Sequence, residues 1–256
     1  MSQLPEYLSA SSISTFQQCP LKYKLSRVDK VQEPPTRETI MGNFVHEVME
    51  SFYAPDTGRQ RDIKTIKQIS TEVWESGDWQ NRVSGYLRDM TMHKFRWNAW
   101  WCIENIFKLE DPNAVDVKGI ELELNVAVDG VKIKGFIDRL ATIDGHDKIS
   151  DYKTGKTPRD IYMEDKFFQL MLYYVCLSQS IQMSNPILEL LYLKDGQRKQ
   201  ITPTDDLCVQ TTETVVSVNS RIVECNTKDE WPAVPAKLCD WCFFKYNGCT
   251  YYQKRK

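Results

Sequence analysis

Two stretches of alternating hydrophobic and polar residues, 121–128 and 131–138, flank the dipeptide Asp129-Gly130. A period of two is typical of a strand with one buried face, and Asp-Gly favours a two-residue hairpin turn. The sequence therefore predicts an antiparallel hairpin here. The same kind of pattern predicts further strands at 148–153, 186–193 and 197–201.

Elsewhere the hydrophobic residues recur every three or four positions, as on one face of a helix. In the segment 37–54, for example, Phe44, Val48 and Phe52 follow this spacing. A strand meander, a helix and then more strands indicate a mixed α/β core, here preceded by a helical insertion. The predicted helices span 11–26, 37–54, 61–76, 79–109, 161–183 and 205–226.

The predicted helix at 79–109 interleaves aromatic residues, such as Trp97 and Trp100, with basic residues, such as Lys94 and Arg96. This mixture is found on surfaces that stack nucleic-acid bases. It is also typical of an amphipathic helix that packs on a core, and we favour this second interpretation.

The composition is that of an ordinary globular protein, with 41% hydrophobic and 27% charged residues in 256. No apolar run approaches the roughly 20 residues of a membrane span, and the N-terminus lacks a signal-peptide pattern. We therefore expect a cytoplasmic protein with no membrane partner. With 33 basic and 35 acidic residues, the net charge is −2, so any nucleic-acid-binding surface must be local.

Three charged residues in the strand region suggest a hydrolytic metal centre. Asp151 and Lys153 are two positions apart and project from the same face of a strand, while Asp138 closes the preceding strand. Paired carboxylates suit a hard divalent cation, and a lysine beside them can stabilise charge on a phosphate. Such a set fits phosphodiester hydrolysis, although an Asp-x-Lys triplet by itself is common.

Eight cysteines in a cytoplasmic chain favour metal ligation over a disulfide framework. Cys239 and Cys242 form a chelating pair, Cys249 follows after six residues, and Cys19 is the candidate fourth ligand. Four thiolates hold either Zn²⁺ or an iron–sulfur cluster, and spacing does not separate the two. The remaining cysteines are expected to be packing residues: Cys102, Cys176, Cys208 and Cys225.

Five short motifs follow one another along the chain: 12–23, Gly42-Asn-Phe-Val-His46, Gly135-Phe-Ile-Asp138-Arg139 with 149–156, Gln169-Leu-Met-Leu-Tyr173 and 239–249. In this order they resemble the motifs of the RecB-like group of PD-(D/E)xK nucleases, and the similarity extends from about Ser12 to Cys249. The chain departs from that pattern in two respects. Asp151 stands where many members carry glutamate, and six rather than five residues precede the last cysteine.

The resemblance implies a restriction-endonuclease-like mixed α/β core with a role for each matching residue. His46, Asp138 and Asp151 would be ligands of Mn²⁺ or Mg²⁺, with the Tyr152 carbonyl as an extra oxygen. Lys153 would be the catalytic lysine. Beside the centre would lie two helix residues, Gln169 and Tyr173. A [4Fe–4S] cluster would be held by four cysteines: Cys19, Cys239, Cys242 and Cys249.

The resemblance also implies an organisation for the chain. It predicts one nuclease domain over 1–256, with a helical insertion at 56–114 and a catalytic sheet with its core helix at 115–201. The cluster region would comprise 12–23 and an iron–sulfur-bound C-terminal tail at 231–252.

The activity implied is that of a metal-dependent DNA exonuclease that prefers single-stranded ends. It would serve DNA recombination or repair, or phage or CRISPR-type DNA processing, in the cytoplasm of a host cell if the chain is phage-encoded. No Walker A motif is present, so a helicase or recombination partner would supply any unwinding. The alternatives are a catalytically weak DNA-end-binding adaptor for a helicase or integrase, and a zinc-bearing structural protein.

Overall fold

Five strands form one mixed sheet in the order of the chain, β1 to β5. In this computed structural model residues 2–55 and 58–253 are described. All neighbouring strands are antiparallel except β3 and β4, which are parallel. The strands are β1 Asp116–Val128, β2 Val131–Ile143, β3 His146–Lys153, β4 Ile187–Tyr192 and β5 Gln197–Ile201.

The predicted hairpin is confirmed, and Asp129 and Gly130 both have the positive φ that a tight turn with primed geometry requires. The end of β2, however, was predicted too early. Pairing with β3 continues from Arg139 to Ile143, so Asp138 lies within the strand rather than at its end. The second hairpin extends the ladder beyond the point at which the simple alternation stops.

Ten α-helices surround the sheet in the described part of the chain, and the prediction of one continuous helix over 79–109 is wrong. Gly85 ends α5, and a new helix, α6, begins after Thr91, whose side chain caps the Lys94 amide. Arg88 between them has a positive φ, which an α-helix cannot contain. The helices are α1 Ala10–Gln18, α2 Pro20–Tyr23, α3 Arg37–Tyr53, α4 Ile63–Ser76, α5 Trp79–Ser84, α6 Met92–Glu104, α7 Ile106–Leu109, α8 Glu164–Leu177, α9 Asp205–Lys228 and α10 Thr250–Gln253.

Two of the other helical predictions also need adjustment. The segment 11–26 is interrupted at Cys19, which has an extended backbone, because Pro20 disfavours a helical conformation in the residue before it. Helix α2 then continues into a π-helical turn, Lys24–Val28. Helix α8 is shorter than the predicted 161–183 and follows a 3₁₀ turn, Asp160–Tyr162.

Two hydrophobic layers lie against the sheet. One contains residues of α1, α8 and α9, including Phe16, Leu170 and Val215. The other contains residues of α3, α4 and α6, including Val48 and Phe95. This mixed α/β arrangement matches the predicted fold class, and the first two residues of the predicted insertion at 56–114 lie outside the described part. In that part of the chain, no helix has the length and apolar character needed to cross a membrane.

Candidate functional site

Strand β3 brings Asp151 and Lys153 together on one face, as their spacing predicts. Lys153 Nζ lies 2.6 Å from Asp151 Oδ2, and the Asp151 side chain is buried. Asp138 reaches the same strand from β2, where its Oδ2 accepts a 2.8 Å hydrogen bond from the Tyr152 amide. The two carboxylates and the lysine therefore meet at one point of the sheet.

Helix α3 contributes His46, which contacts two of the other predicted residues. Its Nε2 lies 2.8 Å from the Tyr152 carbonyl oxygen, and its Nδ1 lies 3.4 Å from Asp138 Oδ2. A carbonyl only accepts hydrogen bonds, so Nε2 is the donor and a neutral ring presents a bare Nδ1 to the carboxylate. Two facing acceptors are favourable only with a proton or a cation between them.

Glu121 joins this group and was missed in the sequence. His46, Glu121 and Asp138 each offer one donor atom, and the three atoms lie within 4.8 Å of one another. Among the described residues this is the one set of three or more such side chains at that spacing. Nitrogen and carboxylate oxygen donors in this arrangement suit a divalent cation such as Mn²⁺ or Mg²⁺.

A signal for Glu121 was nevertheless present. Counting back from the Asp129-Gly130 turn, the register of β1 and β2 puts Glu121 opposite Asp138, between the pairs Ile120–Arg139 and Leu122–Ile137. Side chains directly opposite in an antiparallel pair are neighbours. Glu121 also has a φ of 45°, a left-handed conformation that is uncommon for glutamate and is often found at functional sites.

The site concentrates negative charge. Burial, together with the nearby charge of Asp151, raises the pKa of Asp138 well above its usual range. Burial, with the charge of Glu50 added, also raises the pKa of Glu121. Burial alone would lower the pKa of Lys153, but the charges of Asp151 and Asp138 outweigh it and the pKa of Lys153 is raised. A cation bound among these carboxylates would relieve their repulsion, so the donor set fits a divalent metal.

Helix α8 closes the other side of the centre with Gln169 and Tyr173. Gln169 Nε2 lies 3.0 Å from Asp151 Oδ1 and 3.3 Å from the Tyr173 hydroxyl. Tyr173 approaches β2 at Gly135, where a Cβ atom would lie only 2.5 Å from the tyrosine ring. A larger residue at this position would therefore displace the Tyr173 ring.

The N-terminal and C-terminal segments that carry the candidate cysteine ligands lie close together. The Val234 amide donates to Cys19 Sγ at 3.5 Å, and the Ala236 amide donates to Cys239 Sγ at 3.3 Å. Cys19, Cys242 and Cys249 pack against the hydrophobic layer that contains α1. No three of these sulfurs, within the described residues, lie inside 4.8 Å of one another.

Comparison with known proteins agrees with this geometry. The family model of the PD-(D/E)XK nuclease superfamily matches residues 7–246. Two proteins called Gene 69 protein are similar over 93% of this chain: that of Mycobacterium phage D29, with 24% identity over 95% of its length, and that of Mycobacterium phage L5, with 25% identity over 94%.

A solved structure shares the fold. It is that of a candidate exonuclease from Eubacterium rectale, with a TM-score of 0.55 and 14% identity, covering 94% of this chain and 88% of the other. The five-stranded sheet, the carboxylate–lysine pair on β3 and the match over residues 7–246 lead to one conclusion: the chain belongs to the PD-(D/E)XK nuclease superfamily.

Proposed function

We propose that this chain is a metal-dependent deoxyribonuclease that removes nucleotides from single-stranded DNA ends. The observation that carries the proposal is the donor set of His46, Glu121 and Asp138, directly beside the Asp151–Lys153 pair. A metal-binding set next to a buried carboxylate and a cationic side chain is suited to the hydrolysis of a phosphodiester.

Each residue then has a distinct role. His46, Glu121 and Asp138 would hold the cation, and the family resemblance adds Asp151 and the Tyr152 carbonyl as further ligands. A bound divalent cation lowers the pKa of a water molecule and polarises a phosphoryl oxygen. The Lys153 ammonium stabilises the negative charge that develops on the phosphate. Gln169 orients Asp151 through its amide, so it is a positioning residue.

Two similarities support the finer parts of the proposal. The description of the Eubacterium rectale protein as a candidate exonuclease favours digestion from ends. The phage relatives favour a role in phage DNA processing or recombination within a host cell's cytoplasm. A separate helicase or recombination protein would supply unwound strands, because the chain has no Walker A motif.

The test is a cleavage assay with purified protein and single-stranded DNA labelled at either end. We expect shortening of the strand with Mn²⁺ or Mg²⁺ and none with EDTA, and the label that is lost first gives the polarity. Cuts inside a circular single strand would contradict digestion from ends. Tight DNA binding without cleavage in any cation would instead support the adaptor function.

We further propose that Cys19, Cys239, Cys242 and Cys249 hold a [4Fe–4S] cluster. Four thiolates can hold either zinc or an iron–sulfur cluster. The resemblance of the cysteine segments to those of the RecB-like nucleases favours the cluster. Amide donors at Cys19 and Cys239, with apolar packing around the other thiols, are features that stabilise such clusters.

The cluster proposal predicts the behaviour of Cys19→Ser. Because Cys19 would join residues more than 200 positions apart, its loss should release the C-terminal segment from α1. We expect anaerobically purified variant protein to lose the visible absorbance, the iron and the acid-labile sulfide of the wild type, and to unfold at a lower temperature.

The matched control is Cys225→Ser, which alters a partly exposed cysteine of α9 outside the set. It should retain iron, sulfide and melting temperature. A Cys19→Ser protein with unchanged iron content would contradict the proposed ligand, and a wild-type protein that holds zinc alone would contradict the cluster.

A further inference from the structure

A groove on the helical layer, away from the metal centre, has features of a nucleobase-binding surface. Helices α4 and α6 face each other with side chains at helical spacing, and a cavity of about 390 Å³ lies between them. We call this the α4–α6 groove. Its walls and floor include Phe44, Lys67, Trp74, Arg96, Trp97 and Trp100.

The aromatic residues of the original helix prediction fall into two groups. Trp79 and Phe95 are fully buried and form part of the core, as the amphipathic interpretation predicted. Trp97, by contrast, is 57% exposed at the groove, although an indole of this size is usually well buried. Trp74 forms a rigid floor because Phe44 packs edge-on against it at 5.3 Å.

The cations of the groove have no acidic partner in the described part of the chain. Within residues 2–55 and 58–253, neither Lys67 nor Arg96 has a carboxylate within salt-bridge distance, and no acidic residue lines the groove. The Arg96 guanidinium lies over the Trp74 ring at 5.0 Å. The chain as a whole has a net charge of −2, so this local positive potential is complementary to an anionic ligand.

The groove is separate from the metal centre but shares a helix with it. Phe44 at the groove and His46 at the centre are two residues apart on α3, so they project from nearly opposite sides of that helix. With its side chains a helix is roughly 10 Å across. A strand held in the groove would therefore lie on the other side of α3 from the metal centre.

We propose that the α4–α6 groove binds single-stranded nucleic acid by stacking a base on the exposed Trp97 ring, while Lys67 and Arg96 neutralise the adjacent phosphates. Exposed aromatic rings beside unpaired cations are the combination by which single strands are bound without regard to sequence. The inference rests on the proposed nuclease function, because it assigns the groove to the substrate of the same protein. A base paired in a duplex offers no free face, so the groove should favour single strands.

The test measures binding separately from cleavage, with the full-length protein in EDTA. Fluorescence anisotropy is followed with labelled oligothymidylate, with a strand of equal length made of abasic sites, and with a blunt hairpin duplex. Trp97→Ala should weaken oligothymidylate binding roughly tenfold, because one base would lose the ring on which it stacks. Binding of the abasic strand should be weaker in the wild type and should not change further in the variant.

Trp101→Ala is the matched control, because Trp101 is an exposed tryptophan of the same helix that does not line the groove. It should bind oligothymidylate like the wild type. Equal losses in both variants, or an equal loss on the abasic strand, would overturn the stacking proposal. So would wild-type affinity in Trp97→Ala, or a wild-type preference for the duplex.

These outcomes are independent of the nuclease proposal. Cleavage of DNA with Mn²⁺, together with equal binding by the wild type and Trp97→Ala, would support the nuclease proposal and contradict only the groove proposal. Base stacking through Trp97 without any cleavage would support the groove proposal and contradict the nuclease proposal. Melting temperatures of both tryptophan variants check that the fold is retained.

Discussion

Replacing Asp138 with asparagine is expected to lower the rate of cation-dependent DNA cleavage by roughly a thousandfold or more, equivalent to about 4 kcal/mol. The asparagine oxygen can still accept the hydrogen bond from the Tyr152 amide, so the local backbone should not change. What is removed is the negative charge between His46 and Glu121. The site would then hold the divalent cation more weakly.

The same assay separates metal binding from charge stabilisation. Lys153→Ala should slow cleavage by about 10²–10³-fold, the usual effect of removing one group that stabilises transition-state charge. Raising the Mn²⁺ concentration should partly restore Asp138→Asn, whose cation affinity is reduced, and should not restore Lys153→Ala. The measurement is the single-turnover rate on end-labelled single-stranded DNA as a function of Mn²⁺ concentration.

Asp144→Asn provides the matched control. Asp144 lies in the exposed turn between β2 and β3, and asparagine tolerates its positive φ of 53°. The change of charge is the same as in Asp138→Asn, six residues away, yet cleavage should remain at the wild-type rate. Near-normal cleavage by Asp138→Asn, or an equal loss in Asp144→Asn, would show that the metal centre has been assigned to the wrong residues.

The second large effect is expected from Glu110→Gln, which should reduce the free energy of unfolding by about 3 kcal/mol. Glu110 and Arg139 form a two-pronged ion pair with side-chain exposures of 3% and 0%, including a 2.9 Å bond from Nη2 to Oε2. Removing one partner leaves a buried charge that is only partly compensated. Glu189 remains 3.5 Å from the guanidinium, which keeps the expected loss at the lower end of the range.

The charge of Arg139 also explains why the pKa of Glu110 is lowered. Burial alone would raise the pKa of Glu110, but the charge of Arg139 outweighs it and the pKa is lowered. A carboxyl with a lowered pKa in the folded state stabilises the protein above its unfolded pKa, and that contribution is lost as the pH falls through the folded value. The difference between Glu110→Gln and the wild type should therefore shrink in acid.

Thermal unfolding tests the predicted loss of stability in Glu110→Gln. For a domain of this size, the expected loss corresponds to a melting temperature lower by roughly 6–12 °C. Glu224→Gln is the control, because it breaks an exposed ion pair with Lys228 on α9 and should leave the melting temperature unchanged. An unchanged melting temperature in Glu110→Gln would mean that the buried pair adds nothing to stability.

Arg139 connects this network to the metal centre. It follows Asp138 in β2 and packs over the rings of Tyr53 and Tyr152, at 4.5 Å and 5.5 Å from their centroids. Its neighbour Glu189 on β4 accepts a 2.7 Å hydrogen bond from Ser150. The network therefore fixes the strands on either side of Asp151, and Glu110→Gln should also slow cleavage, though less than Asp138→Asn.

Local sequence was sufficient for much of the site. The order of β1 to β3 and the shared face of Asp151 and Lys153 depend only on strand alternation and on turn residues. Gln169 and Tyr173 are one helical turn apart, so their proximity was fixed as soon as the segment formed a helix. These relations involve neighbours in the chain, and their geometry follows from the backbone.

Other features were decided by tertiary structure. The break between α5 and α6 is one of them, since it is marked by the end of α5 at Gly85 and the positive φ of Arg88. Glu121 was overlooked because strand alternation shows only which face a residue takes, and the register counted from the Asp129-Gly130 turn is needed to show which residue it meets.

The sequence by itself determined the order of β1 to β3 and the shared face of Asp151 and Lys153, because both follow from strand alternation and turn residues. The contact of His46 from α3 with Asp138 from β2 was implied only by the family resemblance, and the tertiary structure decided that Arg139 is buried between Glu110 and Glu189. Such contacts join residues far apart in the chain. They form only when whole helices and strands pack together, so no short segment of the sequence specifies them.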